Sequence, residues 1–311
     1  MSVNKALVDK LLTNVSQAYI PTGFVSEVAL TPLKVVQSSG RIGKYGNQHL
    51  RLESTLMGGK GVAKRVEIRQ YASDAYFIKP NGLEDMITPE EYENVEQPFD
   101  IEKDVTAQLT SLLYIGKEKA LADSLRSTSV LTQNVTLSGS GQWNDYTNSD
   151  PIAVINTAKN TIRSASGVLP DTMILDEAVM NVLRFHPKLL RNLGFADSRA
   201  GSLEDADIAK AFRLKRVLVA DVVWDTAKEG QTSSLAPMWG KDVILAALPT
   251  DAAKLQKSLG YYVTKSSEGP RKVYKQNVIN PPDSKSIIVK DSYDLVLTDT
   301  TCGYVIKAAI A

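Results

Sequence analysis

The sequence predicts an α+β protein, and three observations carry that prediction. Residues 40–79 alternate in hydrophobicity in the manner of a long β-hairpin. Residues 101–126 read as one unbroken helix, and residues 150–238 alternate helices with short apolar strands. Strand-like runs then continue to the C-terminus, so helices and strands are mixed without a regular βαβ repeat.

Composition narrows the function classes. At 311 residues the chain is near the size at which one core stops growing and a second lobe appears. With 43% hydrophobic and 23% charged residues it can bury a large core without staples. Thirty-six basic residues nearly cancel thirty-five acidic ones, for a formal charge of +1. A protein that wraps nucleic acid shows a basic excess or stripe instead. The densest basic run, Lys60 to Arg69, is interleaved with Val62, Ala63, Val66 and Glu67, which suits an amphipathic strand better than a phosphate clamp. Cys302 is the only cysteine, so an intrachain disulfide and a cysteine-based metal cluster are excluded. No 18-residue apolar run and no signal pattern occur, and we expect a soluble chain made in a reducing compartment.

Each element has a local cause. Residues 3–18 read as an amphipathic helix with Ser2 as its cap and Val3, Leu7, Leu11, Leu12 and Val15 on one side. It stops before Pro21, because the residue preceding proline avoids helical geometry. From there to Ser39 the chain is extended and apolar with no local partner, which reads as an arm over 1–39. In the hairpin, Leu50 and Leu52 alternate on one side of Met57-Gly58-Gly59-Lys60-Gly61, and Val62, Val66, Ile68 and Tyr71 on the other. An isolated ribbon of this kind is only marginally stable, so it is expected to rest on a neighbouring subunit.

Asp100 caps the long helix, which runs through Val105, Leu109, Leu112, Leu113, Ala120, Leu121 and Leu125. Twenty-six residues span about 39 Å at a rise of about 1.5 Å each, enough for a central spine. After a turn-rich stretch, Asp150 caps the next helix, Pro151 occupies its first position, and Ile152, Ile155, Ala158 and Ile162 mark its buried face. Gly167 supplies a left-handed stop. Met173-Ile174-Leu175 is a short buried strand, Asp176 opens a helix through Val179, Val182 and Leu183, and Ser202 with Asp205 opens another. Apolar strands follow at 217–223, 239–248, 261–263 and 273–278, with two more between 286 and 310.

Chemical machinery is not visible. Gly58-Gly59-Lys60-Gly61 lacks the first glycine and the Ser/Thr of a phosphate loop. His49 and His186 have no Asp, Glu or His at metal-ligand spacing, and His186 before Pro187 suits a capping role. Glu90-Glu91 and the Glu102/Asp104 pair lie at helix starts, where they complement the dipole. We therefore assign no catalytic, cofactor-binding or metal residues, and expect no enzyme.

Four stretches, "TLSGSGQWNDYTNSDPI", "SGVLPDTMILDEAVMNVLRFHP", "APMWGKDVILA" and the ending "GYVIKAAI", resemble the major capsid proteins of tailed bacteriophages with the Hong Kong 97-type capsid fold. That resemblance implies a division of the chain. It gives an N-terminal arm (1–39), an extended hairpin loop (40–79) and a peripheral domain (80–149) with spine helix 101–126. An axial domain (150–238), return strands of the peripheral domain (239–302) and a final axial strand (303–311) complete it.

The resemblance implies a structural role: the chain assembles with itself into hexamers and pentamers of an icosahedral shell around double-stranded DNA, in the virion, after assembly in the host cytoplasm. Leu7, Leu11, Met57, Lys60, Val62 and Arg65 are the expected intersubunit contacts. Pro21, Pro32, Gly40, Gly43 and Gly46 are the expected hinges. Separate scaffolding and portal proteins, and possible decoration proteins, are the implied partners, with DNA touched only weakly and non-specifically and no membrane involved. No scaffolding segment is expected ahead of the arm, and Met1 or Ser2 is expected to survive in the particle. An encapsulin-like compartment shell is the nearest rival. An α/β enzyme built on residues 150–250 is a more distant one, because Asp176-Glu177 is its only acidic candidate and helix capping explains that pair.

Overall fold

A computed structural model describes residues 7–44, 46–52, 55, 72–94, 100–194, 203–249, 257–266, 271–278 and 283–311. The spine is the helix Ile101–Arg126. Asp100 accepts a hydrogen bond from the Lys103 amide at 3.4 Å, Glu102 and Asp104 occupy the first turn and Arg126 the last. These charges complement the helix dipole at both ends. Leu109, Tyr114, Leu121, Ala122 and Leu125 are buried along it, whereas Leu112 is 54% exposed. We expect Leu109→Ala to cost about 2–5 kcal/mol through cavity formation. Leu112→Ala should stay within about 0.5 kcal/mol. Equal unfolding midpoints for the two variants would contradict this orientation of the spine.

One face of the spine carries a six-stranded sheet. Its centre is the 14-residue strand Ser284–Leu297, antiparallel to Arg271–Val278, Gly260–Lys265 and Lys79–Ile87. Val273, Ile287, Val289 and Ile87 meet Leu109 of the spine and Leu12 in one apolar cluster. Thr31–Val35 runs parallel to Gly260–Lys265, and Leu7–Val8 edges Arg271–Val278.

These last two pairings correct the N-terminal expectation. The first helix is Lys10–Ala18, not 3–18: Asp9 caps it by accepting from the Leu12 amide at 3.0 Å, and Leu7–Val8 is a strand. The stretch that follows is not an arm without support. Val25, Ala29 and Leu30 lie in the main core, and Thr31–Val35 completes the sheet. Its partners stand more than 200 residues away along the chain, beyond the reach of a local reading.

The second sheet has five strands in the order Asn134–Thr136, Gly303–Lys307, Val243–Ala246, Thr172–Asp176, Arg216–Ala220. Ile174, Ile244 and Val305 face one apolar cluster, and Met173, Leu175, Val243, Leu245 and Ile306 face the other. Burial on both faces explains why these strands are continuously apolar instead of alternating. Val243–Ala246, expected among the return strands of the peripheral domain, is instead central here. All four of its residues are buried, so it needs a neighbour on each edge and a layer on each face.

The hairpin has a paired base. Ser39–Lys44 and Ala72–Phe77 are antiparallel from Ser39↔Phe77 to Lys44↔Ala72. Tyr76 and Ile78 rest on Tyr261, Val263 and Val296, so this base leans on its own sheet, where a neighbouring subunit was expected. Leu50 is not in an alternating strand. It closes a 3-10 turn, Asn47–Leu50, whose Asn47 side-chain Nδ2 donates to the Ala165 carbonyl at 3.0 Å. The tip, including Met57, Lys60, Val62 and Arg65, lies outside the described residues.

Candidate functional site: surfaces, a joint and a buried charge cluster

The contact and hinge candidates among the described residues do not converge on one place. Leu7 is paired through its backbone with Lys275, and Leu11 is 63% exposed on the N-terminal helix. Pro21 follows that helix, and Pro32 is held in the parallel ladder opposite Tyr262. Gly40 lies against Tyr76, whose hydroxyl would be 2.7 Å from an added Cβ, while an added Cβ at Gly43 or Gly46 would meet nothing within 4 Å among the described residues.

The most concentrated chemistry is one that residue patterns did not reveal. Lys117, on the buried side of the spine, pairs with Glu27 at 3.0 Å and Asp291 at 2.6 Å. It also donates to the Tyr262 hydroxyl at 3.1 Å and faces the rings of Tyr114, Tyr262 and Tyr293. Arg271 joins Glu27 at 2.9 Å and stacks over Tyr114. Burial pushes the Glu27 carboxyl upward, but Lys117 and Arg271 outweigh it and hold its pKa below the ordinary value. For Asp291 burial prevails, raising its pKa against the pull of Lys117 and Arg271. Lys117 stays charged: burial opposes this, but Asp291 and Glu27 raise its pKa.

Beside it, Glu118 accepts from the amides of Val25 at 3.2 Å and Ser26 at 2.7 Å and from Trp239 Nε1 at 2.7 Å. Burial raises the Glu118 pKa despite those donors. Adjacent spine residues thus hold the 25–27 segment twice, Lys117 by its side chain and Glu118 by its backbone. The sequence carried one signal: in the spacing Tyr114, Leu121, Leu125, a Lys-Glu pair interrupts a stripe that should be apolar.

A second polar joint ties the spine to the five-stranded sheet. Asp242 accepts from Arg126 Nε at 2.7 Å, from the Ala308 amide at 3.1 Å and from Lys307. Burial pushes its pKa up, but Lys307 and Arg126 outweigh that and hold it below the ordinary carboxylate value.

The remaining chemistry-bearing residues are structural. His186 caps the helix Pro187–Asn192, its Nδ1 accepting from the Lys188 amide at 3.3 Å while Nε2 bonds Ser149 Oγ at 3.0 Å. Burial and then Lys188 lower its pKa. Burial pushes the Cys302 thiol up to about 12, which leaves it inert at neutral pH. Among the described residues no group of three or more His, Cys, Asp or Glu could hold a metal ion, and no helix is long and apolar enough to cross a membrane.

One open cleft, of about 410 Å³, lies at the base of the five-stranded sheet. Leu169, Leu214, Leu248 and Pro249 line it, with Asp171, Arg213, Lys215 and Lys257.

No family model matches the chain. A major capsid protein of Burkholderia phage BcepMu is 24% identical over 273 residues, covering 83% of this chain and 84% of that one. A phage-related protein from Bordetella bronchiseptica superposes with a TM-score of 0.73 at 22% identity over 98% of both chains. The capsid structure of cyanophage P-SCSP1u gives 0.58 at 9% identity, over 93% of this chain and 89% of that one. The fold is that of phage capsid proteins. An encapsulin from Synechococcus elongatus, at 0.53 and 11% identity over 97% and 96%, matches the same capsid fold.

Proposed function

We propose that this chain is the major capsid protein of a tailed double-stranded DNA bacteriophage, of the Hong Kong 97 type. The observation that supports it best is end-to-end: homology to phage major capsid proteins covers 83% of the chain, and the capsid fold extends over nearly all of it. Copies assemble into hexamers and pentamers of an icosahedral shell, and the chain acts through surfaces and not as an enzyme. Assembly takes place in the host cytoplasm with separate scaffolding and portal proteins. The near-neutral charge suits a wall that must not trap packaged DNA through many phosphate contacts.

Contacts between copies are made by Leu7 and Leu11 near the N-terminus and by Met57, Lys60, Val62 and Arg65 of the loop. Each added neighbour multiplies the effective affinity of the others. Gly43 and Gly46, where an added Cβ would meet nothing among the described residues, are the best placed of the hinge candidates. Pro21, Pro32 and Gly40 are more tightly framed.

Negative-stain microscopy and sedimentation of the purified chain test this reading. Capsomers or closed shells are expected, and a single-subunit profile at every concentration refutes it. Removing residues 51–64, which spares the anchored turn Asn47–Leu50, should leave a folded subunit that forms no particles. Intact shells from that deletion would disprove the loop's role.

A further inference from the structure

Two surfaces are left without partners among the described residues, and their chemistries match. The first is the cleft, whose apolar floor is rimmed by cations. Lys257 is committed to Asp299 at 3.6 Å and to Asn47, but Lys215 keeps 70% of its side chain exposed although it pairs with Asp171 at 3.1 Å. Arg213 is exposed and sits at φ 52°, just past the helix Asp205–Ala211, where glycine is the usual residue. A bulky cation held in that backbone region, beside a second cation, marks a position where charge matters more than local comfort.

The second surface is the strand Lys79–Ile87. It pairs with Ser284–Leu297 along one edge only, and every residue but Ile87 is exposed. Its middle reads Leu83-Glu84-Asp85-Met86, two carboxylates between apolar residues that are 37% and 40% exposed. Soluble proteins cover or blunt edges of this length.

We infer that the strand Lys79–Ile87 of one copy docks on the cleft of the next. Met86 reaches the apolar floor, where its flexible thioether adapts to an irregular surface. Glu84, on the same face of the strand and also accepting from Ser286, faces Arg213 and Lys215, while Asp85 on the opposite face adds to the segment's negative charge. An apolar floor beneath a cationic rim fits an acidic protein segment better than a phosphodiester, which has no apolar part to bury. Because two different patches meet, the contact is head-to-tail and closes into a ring once the rotation between copies allows it. The inference rests on the self-assembly reading and names one contact within it.

Charge reversal tests it. In Arg213→Glu/Lys215→Glu, the concentration at which half the chain assembles should rise by about tenfold or more. Adding Glu84→Lys/Asp85→Lys to the same chain should bring it back to within about threefold of wild type. Unchanged assembly of the first variant overturns the contact while leaving the shell reading intact, whereas a wild-type chain that never assembles overturns the shell reading itself. A mixture of Met86→Cys and Leu169→Cys chains gives a second measure that does not depend on the reversed charges. With a mild two-electron oxidant such as diamide added, an intermolecular disulfide is expected in the mixture and in neither variant alone, since Cys302 is buried. Its absence from the mixture also overturns the contact.

Discussion

Replacing Lys117 by methionine is expected to destabilise the subunit by about 3–5 kcal/mol, the usual cost of removing one partner from a buried ion cluster. The side chain is fully buried and balances Glu27 and Asp291, which Arg271 alone then has to serve. The loss depends on pH, and its sign follows from the two carboxylates. Asp291 already has a raised pKa in the folded chain, and losing Lys117 raises it further. A carboxyl with a raised folded pKa penalises the native state once ionised, so acidification returns stability to the variant. In the wild type, Glu27 has a lowered pKa, and its stabilisation is lost as pH falls through that folded value. Both effects narrow the gap between the two proteins in acid. The Asp291 effect acts first on acidification, and the Glu27 effect follows only below the ordinary carboxylate range. Urea midpoints near pH 7 and near pH 4 check this, and a gap that widens on acidification rules out the cluster as described.

Glu118→Ala carries the second large effect. It strips the acceptor from three buried donors, the amides of Val25 and Ser26 and the Trp239 indole. At about 1–3 kcal/mol for each unsatisfied group, less what local relaxation recovers, about 3–6 kcal/mol should be lost. The damage should also be local before it is global. Hydrogen exchange at Val25 and Ser26 should accelerate strongly, while Ile174, in the core of the five-stranded sheet, stays protected. Uniform acceleration at all three would show that the 25–27 segment is not held by this carboxylate.

What was legible in the sequence was local. Asp100 starts the spine, Asp150 and Pro151 start the next helix, and Gly167 ends it at φ 76°. Each of these signals acts within one or two turns of chain. Parallel pairing of Thr31–Val35 with Gly260–Lys265 has no such signal, since nothing in residues 31–35 encodes a partner so distant. The charge cluster was hidden for a related reason. Lys117 and Glu118 interrupt an apolar stripe, but that pattern does not name their partners, because Glu27, Asp291 and Trp239 are brought to them from three other segments. Asp242 shows the same limit: its carboxylate matters only because Arg126 and Lys307 converge on it from remote positions.

The six-stranded sheet draws on residues 7–35 and on residues 260–297, and the five-stranded sheet needs its strand at 303–307. Neither can close while residues 260–307 are still inside the ribosome. Such long-range pairing also folds slowly. Under the proposed self-assembly, a chain is therefore competent to join a neighbour only after residues 260–307 have been made and paired.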